Sequence, residues 1–199
     1  MIAVLTGDIK NSKDHEAHIW LPVLKAALEH YGSEPSDWEI YRGDSFQLQT
    51  APEKALEAAI FIKASIKQIR HLDVRIAIGL GEKNHTAAKI TESNGEAFVN
   101  SGECFDQLKK QTLALKSNAA TFNETLNTML SLAALSMDNW LPATATVVKT
   151  TMEHPEANQK ELATLLGKSQ STISEALIRA GFDEVQKMIQ FYRTQLAQL

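Results

Sequence analysis

Apolar and polar positions change period several times along the chain, and each change marks an element. Met1 to Ile9 is a short apolar run carrying Thr6-Gly7-Asp8 near its end, the pattern of a buried strand that delivers an aspartate at its tip. From Lys13 to Tyr31 the spacing becomes helical, with Ile19, Trp20, Val23, Leu24 and Leu28 on one face, a stop at Gly32 and a source of kinking at Pro22. Trp38 to Tyr41 and Phe46 to Gln49 alternate around Arg42-Gly43-Asp44-Ser45, which predicts a β-hairpin turning at Gly43-Asp44. Pro52 to Arg70 is an amphipathic helix with proline in its first turn, and Val74 to Gly81 is a further strand. Residues 1–81 therefore spell β-α-β-β-α-β, the ferredoxin-like order with an antiparallel sheet.

Beyond that unit the pattern predicts a helix over Gly95 to Lys110, a strand over Thr112 to Leu115 and a long apolar-periodic helix over Ala119 to Leu135. Leu141-Pro142 breaks the last of these, and helical spacing runs on to the C-terminus. The expected fold class is α/β (α+β), divided into a ferredoxin-like domain over 1–118, a connector helix over 119–142 and a helical domain over 143–199.

The C-terminal stretch from Gln159 to Ile178 has the spacing of a helix-turn-helix. Ala163 is small where two helices must approach closely, and Gly167 stands at the turn. Leu162, Leu166, Ile173 and Leu177 fall where they pack the two helices together. That leaves Ser169, Gln170, Ser171, Thr172 and Ser174 at the start of the second helix, with Lys168 and Arg179 flanking them. Short hydroxyl and amide side chains at those positions can reach phosphates and base edges of double-stranded DNA. The bland alternative is the same motif used as a protein-binding surface, to which Glu175 lends weight. The closing helix, with Val185, Met188, Ile189, Tyr192 and Leu196 at helical spacing, reads as core or as a dimer seam.

Composition narrows the picture. Hydrophobic residues make up 44% and charged residues 22%, values of an ordinary globular chain. The first residues lack a basic flank and reach a charge by Asp8, no apolar run has membrane-spanning length, and the single Cys104 allows no internal disulfide. A cytoplasmic location is the simplest expectation. The net charge is −4, and residues 143–199 carry six Lys or Arg against six Asp or Glu. Phosphate neutralisation supplies most non-specific nucleic-acid affinity, so a neutral reading head binds DNA modestly on its own, and a homodimer is expected to make up the difference.

In a β-α-β-β order the end of the first strand and the hairpin turn are neighbours, so Asp8 and Asp44 can meet. Two such carboxylates suit Mg²⁺ or Mn²⁺, with water and nucleotide phosphates completing the shell. The alternative is a plain hairpin turn at Asp44 and a helix cap at Asp8. Arg42 and Lys10 can each neutralise a nucleotide phosphate or merely pair with the nearby aspartates. His15 and His18, three apart on one face, read as solvated, and Cys104 as a buried structural thiol.

On these residues, positions 1 to about 110 resemble the palm of the class III nucleotidyl cyclases. Asp8 falls at that family's first metal aspartate and Gly43-Asp44-Ser45-Phe46 at its second. Val74 to Gly79 with Gly81-Glu82 resembles the following strand, and Gly95 to Asn100 the next helix start. The resemblance implies metal binding by Asp8 and Asp44, nucleotide binding by Lys10, Arg42, Gly43 and Ser45, and a transition-state role for Asn100. Four residues on, where the family has an arginine, stands Cys104, and the cation that would stabilise transition-state charge is missing. The opening Met1 to Ser12, the Tyr41 to Phe46 segment and the C-terminal helix-turn-helix together resemble the SatD family of bacterial proteins over most of the chain, which implies regulation and no particular reaction. The leading expectation is a DNA-binding transcriptional regulator with a degenerate cyclase-like sensory domain. The rivals are a metal-dependent nucleotidyl cyclase or nucleotidyltransferase targeted by its helix-turn-helix, and a non-catalytic interaction module.

Overall fold

The computed structural model describes all 199 residues. The chain runs β1 (Ile2–Lys10), α1 (Ala17–Glu29), β2 (Trp38–Tyr41), β3 (Ser45–Thr50), α2 (Ala55–Ile66), β4 (Asp73–Gly81), β5 (Lys83–His85), β6 (Asn94–Gly95), α3 (Glu96–Gln107), β7 (Leu113–Lys116), α4 (Ala120–Met137), α5 (Pro142–Glu153), α6 (Gln159–Leu166), α7 (Gln170–Ala180) and α8 (Phe182–Leu196). The fold is mixed α/β, with a mostly antiparallel five-stranded sheet in the order β2-β3-β1-β4-β7 and a separate β5-β6 pair. Every neighbour pair in the large sheet is antiparallel except β4 with β7, which is parallel. Antiparallel pairing needs only a tight turn between β2 and β3, whereas the parallel β4-β7 pair needs a crossover, which α3 supplies.

Strand alternation sorts the two faces. Ala3, Leu5 and Ile9 of β1 and Val74, Ile76, Ile78 and Leu80 of β4 enter the main core with α1 and α2. The opposite positions face α3: Thr6 Oγ1 lies 2.9 Å from Ser101 Oγ, and Ala77, Cys104, Leu108 and Ala114 form a small apolar cluster. A Cβ built on Gly79 would stand 2.2 Å from the Ala97 carbonyl oxygen and 2.3 Å from the Ser101 nitrogen, so glycine is what lets α3 lie directly on β4.

The expected elements form close to where their patterns place them, with differences in detail: α2, for one, spans Ala55–Ile66 where a helix over residues 52–70 is expected. Residues 12–14 make a 3₁₀ turn and His15 is extended, so α1 starts at Ala17 and not at Lys13. The β5-β6 pair, built from polar residues, was outside the expectation. The larger difference concerns the division at 142/143. Phe122, Leu126, Leu130 and Met137 of α4, Ala145 and Val148 of α5, and Val185, Met188, Ile189, Tyr192 and Leu196 of α8 all belong to the same continuous core as the sheet. Tyr192 donates to the Pro52 carbonyl at 2.6 Å, and Arg193 reaches both the Glu53 carbonyl at 3.1 Å and the Glu57 carboxylate. The apolar stripe of α8 is therefore core. Only Val147, Leu162, Ala163, Ile173 and Ala176 form a cluster of their own beneath α6 and α7. No helix is long and apolar enough to cross a membrane.

Candidate functional site

Asp8 and Asp44 reach one cleft by the route the strand order implies. Asp8 lies at the end of β1, opposite Ser45 of β3, and the Ile9 N–H donates to the Asp44 carbonyl at 3.1 Å. Arg42 and Gly43, both with positive φ (51° and 89°), fold the hairpin turn that presents Asp44. The cleft has a volume of about 760 Å³, within the usual range for small-molecule sites, and only one hydrophobic side chain lines it. Its wall also carries Lys10, Ser12, Lys13, Lys109 and Lys110.

Both carboxylates are already engaged. Arg75 stands directly opposite Asp8 in the β1-β4 register. Its Nε donates to Asp8 Oδ1 at 2.9 Å, and its terminal nitrogen donates to Oδ2, a two-pronged pair that takes both oxygens. The hydrogen bond to Asp8 holds the Arg75 guanidinium above its usual pKa, against a partial offset from burial. The guanidinium carbon also sits 5.3 Å from the centre of the Phe105 ring, which adds a cation–π contact. Asp44 accepts from the Ser12 hydroxyl. No group of three or more His, Cys, Asp or Glu side chains is arranged so that it could hold a metal ion. Two carboxylates can hold a nucleotide-borne Mg²⁺ when they are free to turn toward it. Here a guanidinium covers one of them, so the residues present do not fit the divalent metal that the cyclase resemblance implies.

The other expected positions separate. Lys10 lines the cleft, whereas Arg42, Gly43 and Ser45 lie on the hairpin outside it. Asn100 does not join the aspartates: it is buried on α3, and its Nδ2 donates to the Leu80 carbonyl at 2.8 Å, near the far end of β4 from Arg75. Cys104 is buried, and desolvation pushes its thiol up to about 11, so it carries no thiolate at neutral pH. Arg75, Lys13, Lys109 and Lys110 were not singled out from the sequence. Arg75 left a signal, being a charged residue inside the strand Val74-Arg75-Ile76, whose meaning depends on knowing that β1 is its neighbour.

The second candidate surface is at α6 and α7. Asn158 accepts from the Lys160 and Glu161 N–H groups while Glu161 returns a bond to the Asn158 N–H, a reciprocal cap that fixes the start of α6. Left-handed Gly167 ends α6, and Ser169 caps α7 by accepting from the Thr172 N–H. Leu162, Ala163, Ile173 and Ala176 are buried between the helices, and Leu166 and Leu177 are partly buried beside them. Lys168, Ser169, Gln170, Ser171, Thr172 and Arg179 are exposed and Ser174 is half-exposed. Gln170 bonds Gln159, and Arg179 pairs with Glu175 at 3.4 Å. No known protein family, no curated protein and no solved structure matches the chain.

Proposed function

We propose that the protein is a DNA-binding regulator in which the cleft beside Asp8 and Asp44 takes a small ligand and α7 reads double-stranded DNA. The observation that carries this reading is the surface of α7. Its first turn presents an uninterrupted row of exposed hydroxyl and amide side chains from Ser169 to Thr172, while a separate small core holds it against α6 across the short Gly167-Lys168-Ser169 turn. A second helix so held, with polar residues at its N-terminal end, is what insertion into a major groove requires. The exposed apolar side chains Leu132 and Leu135 on α4 and Ile178 on α7 supply surface for pairing two copies, which would let two weak half-site contacts add. The ferredoxin-like reading of the N-terminal part is supported by its β-α-β-β-α-β connectivity and by the order β2-β3-β1-β4.

The test is selection of duplexes from a random pool with the full chain, followed by anisotropy on the enriched sequence. Ser171→Ala/Thr172→Ala removes two exposed hydroxyls and leaves the Ser169 cap in place. It is expected to weaken specific binding at least about tenfold, the scale of one or two lost polar contacts, with an unchanged unfolding midpoint. A pool with no enriched sequence, together with equal binding of random duplex by wild type and variant, would falsify the reading. The enzyme alternative makes a different demand: product from ATP or GTP with Mn²⁺ that disappears in Asp44→Ala. The Arg75 pairing of Asp8 weighs against it.

A further inference from the structure

The charge around the cleft runs opposite to the charge of the chain. The protein is net −4, yet five cationic side chains, Lys10, Lys13, Arg75, Lys109 and Lys110, line the cleft against three carboxylates, Asp8, Asp14 and Asp44. One of the five, Arg75, is spent on Asp8. The four lysines are exposed, and none makes a salt bridge or a side-chain hydrogen bond within the protein. They come from two separate segments, the end of β1 with the turn that follows it and the turn between α3 and β7, which meet at the cleft. Asp8 is neutralised by Arg75, and the four unpaired ammonium groups still outnumber the two remaining carboxylates, Asp14 and Asp44, so this polar concavity favours an anion over a cation.

From this we infer that the cleft binds a polyphosphate ligand, a nucleoside triphosphate or a comparable phosphate chain, directly through lysines and without a divalent metal. Arg75 occupies the position at Asp8 that a metal would need, and the lysines supply the positive charge that a metal would otherwise bring. This rests on reading the cleft as the ligand site. A volume of about 760 Å³ accommodates a nucleotide, whereas a lone phosphate would leave most of the lysines unused. The phosphate chain is the shared chemistry, so inorganic tripolyphosphate and ATP distinguish a phosphate-only site from one that also holds a nucleoside.

The test is thermal unfolding of the full chain with tripolyphosphate, ATP or adenosine, each in EDTA and in Mg²⁺ or Mn²⁺, for wild type and for Lys109→Ala/Lys110→Ala. Both lysines are exposed, so the variant should melt with wild type when no ligand is present. In EDTA, tripolyphosphate and ATP at about 100 times their dissociation constant should raise the wild-type midpoint by roughly 5 to 10 °C. Adenosine should do nothing, and the variant should lose at least about tenfold in affinity. A shift that appears only with metal, survives in the lysine variant and is lost in Asp8→Ala/Asp44→Ala overturns the inference while leaving the cleft as the ligand site. No shift under any condition overturns both. A lysine variant that loses duplex DNA binding while keeping tripolyphosphate binding overturns the inference and assigns the lysines to the DNA backbone.

Discussion

Lys63→Met should be among the most damaging single changes in the protein, although it touches neither proposed surface. Lys63 sits in an otherwise apolar stretch of α2 with its side chain only 2% exposed. Its ammonium lies 2.7 Å from Asp73 Oδ1, 2.7 Å from Asp138 Oδ1 and 3.3 Å from Thr112 Oγ1. Methionine matches the length and removes the charge. Asp73 would keep its own Val74 N–H at 2.8 Å and Lys67 at 3.5 Å, and the burial of Lys67 pulls its pKa down, so Lys67 is a poor replacement. Asp138, 34% exposed, would be partly rescued by water. Breaking a buried pair from one side costs about 3–5 kcal/mol, and the partial exposure of Asp138 places this case near the lower figure. At roughly 2–4 °C per kcal/mol for a chain of this length, the melting midpoint should fall by about 6–12 °C at pH 7. Lys63→Met/Asp138→Asn should recover part of the loss, because it removes one of the two carboxylates left without a partner. Urea unfolding at pH 7 measures both effects. A loss below about 1 kcal/mol, or a double variant no more stable than Lys63→Met, would refute the argument that Lys63 is a desolvated charge holding two carboxylates.

Gly79→Ala drives a methyl group into backbone atoms of α3 that cannot turn aside, and the expected cost is about 2 kcal/mol or more in a urea titration. Cys104 gives an alkaline signature. Its thiol ionises near 9 when unfolded and at about 11 when folded, so its contribution is constant below pH 9 and is lost as pH rises from 9 through 11. The stability difference between wild type and Cys104→Ala should therefore change by about 2–3 kcal/mol across that window, and thiol reagents at pH 8 should label only unfolded protein. Asn158→Ala removes the acceptor for two N–H groups at the start of α6 and should cost about 1 kcal/mol, read by hydrogen exchange of the α6 amides.

Much of this arrangement was legible in the sequence because local pattern determined it. The alternation around Arg42-Gly43 fixed the β2-β3 hairpin, and helical spacing with Gly167 at the turn separated α6 from α7. What escaped the reading depends on long-range register. Arg75 becomes the partner of Asp8 only once β4 lies beside β1, and Lys109 joins Lys10 only once α3 has crossed back over the sheet. The packing of α4 was hidden for a related reason: Phe122, Leu126 and Leu130 recur every four residues, which marks a buried face, but spacing alone does not say that the sheet's core buries it. Lys63 was the most readable of the missed residues, since a lone charge amid Ala58 to Ile66 implies a buried partner.

The shared core also changes how the two proposed surfaces can communicate. With α4 and α8 packed on the sheet, most of the C-terminal helices share one core with it, and the α6–α7 pair rests mainly on its own five-residue cluster. That pair is anchored at one end: Ser136 Oγ and Trp140 Nε1 both donate to the carbonyl of Ala180, the last residue of α7, at 2.9 and 3.1 Å. Between those two donors in sequence lies Asp138, whose carboxylate accepts from Thr112 at 2.6 Å and whose carbonyl accepts from Lys67 at 2.7 Å. Thr112 itself lines the lysine cleft. The short segment Ser136 to Trp140 is thus tied to the cleft wall through Asp138 and to the C-terminal end of α7 through Ser136 and Trp140. A phosphate chain drawing Lys109 and Lys110 inward would pull on the turn that carries Thr112, and the first contact to feel it is Thr112 with Asp138.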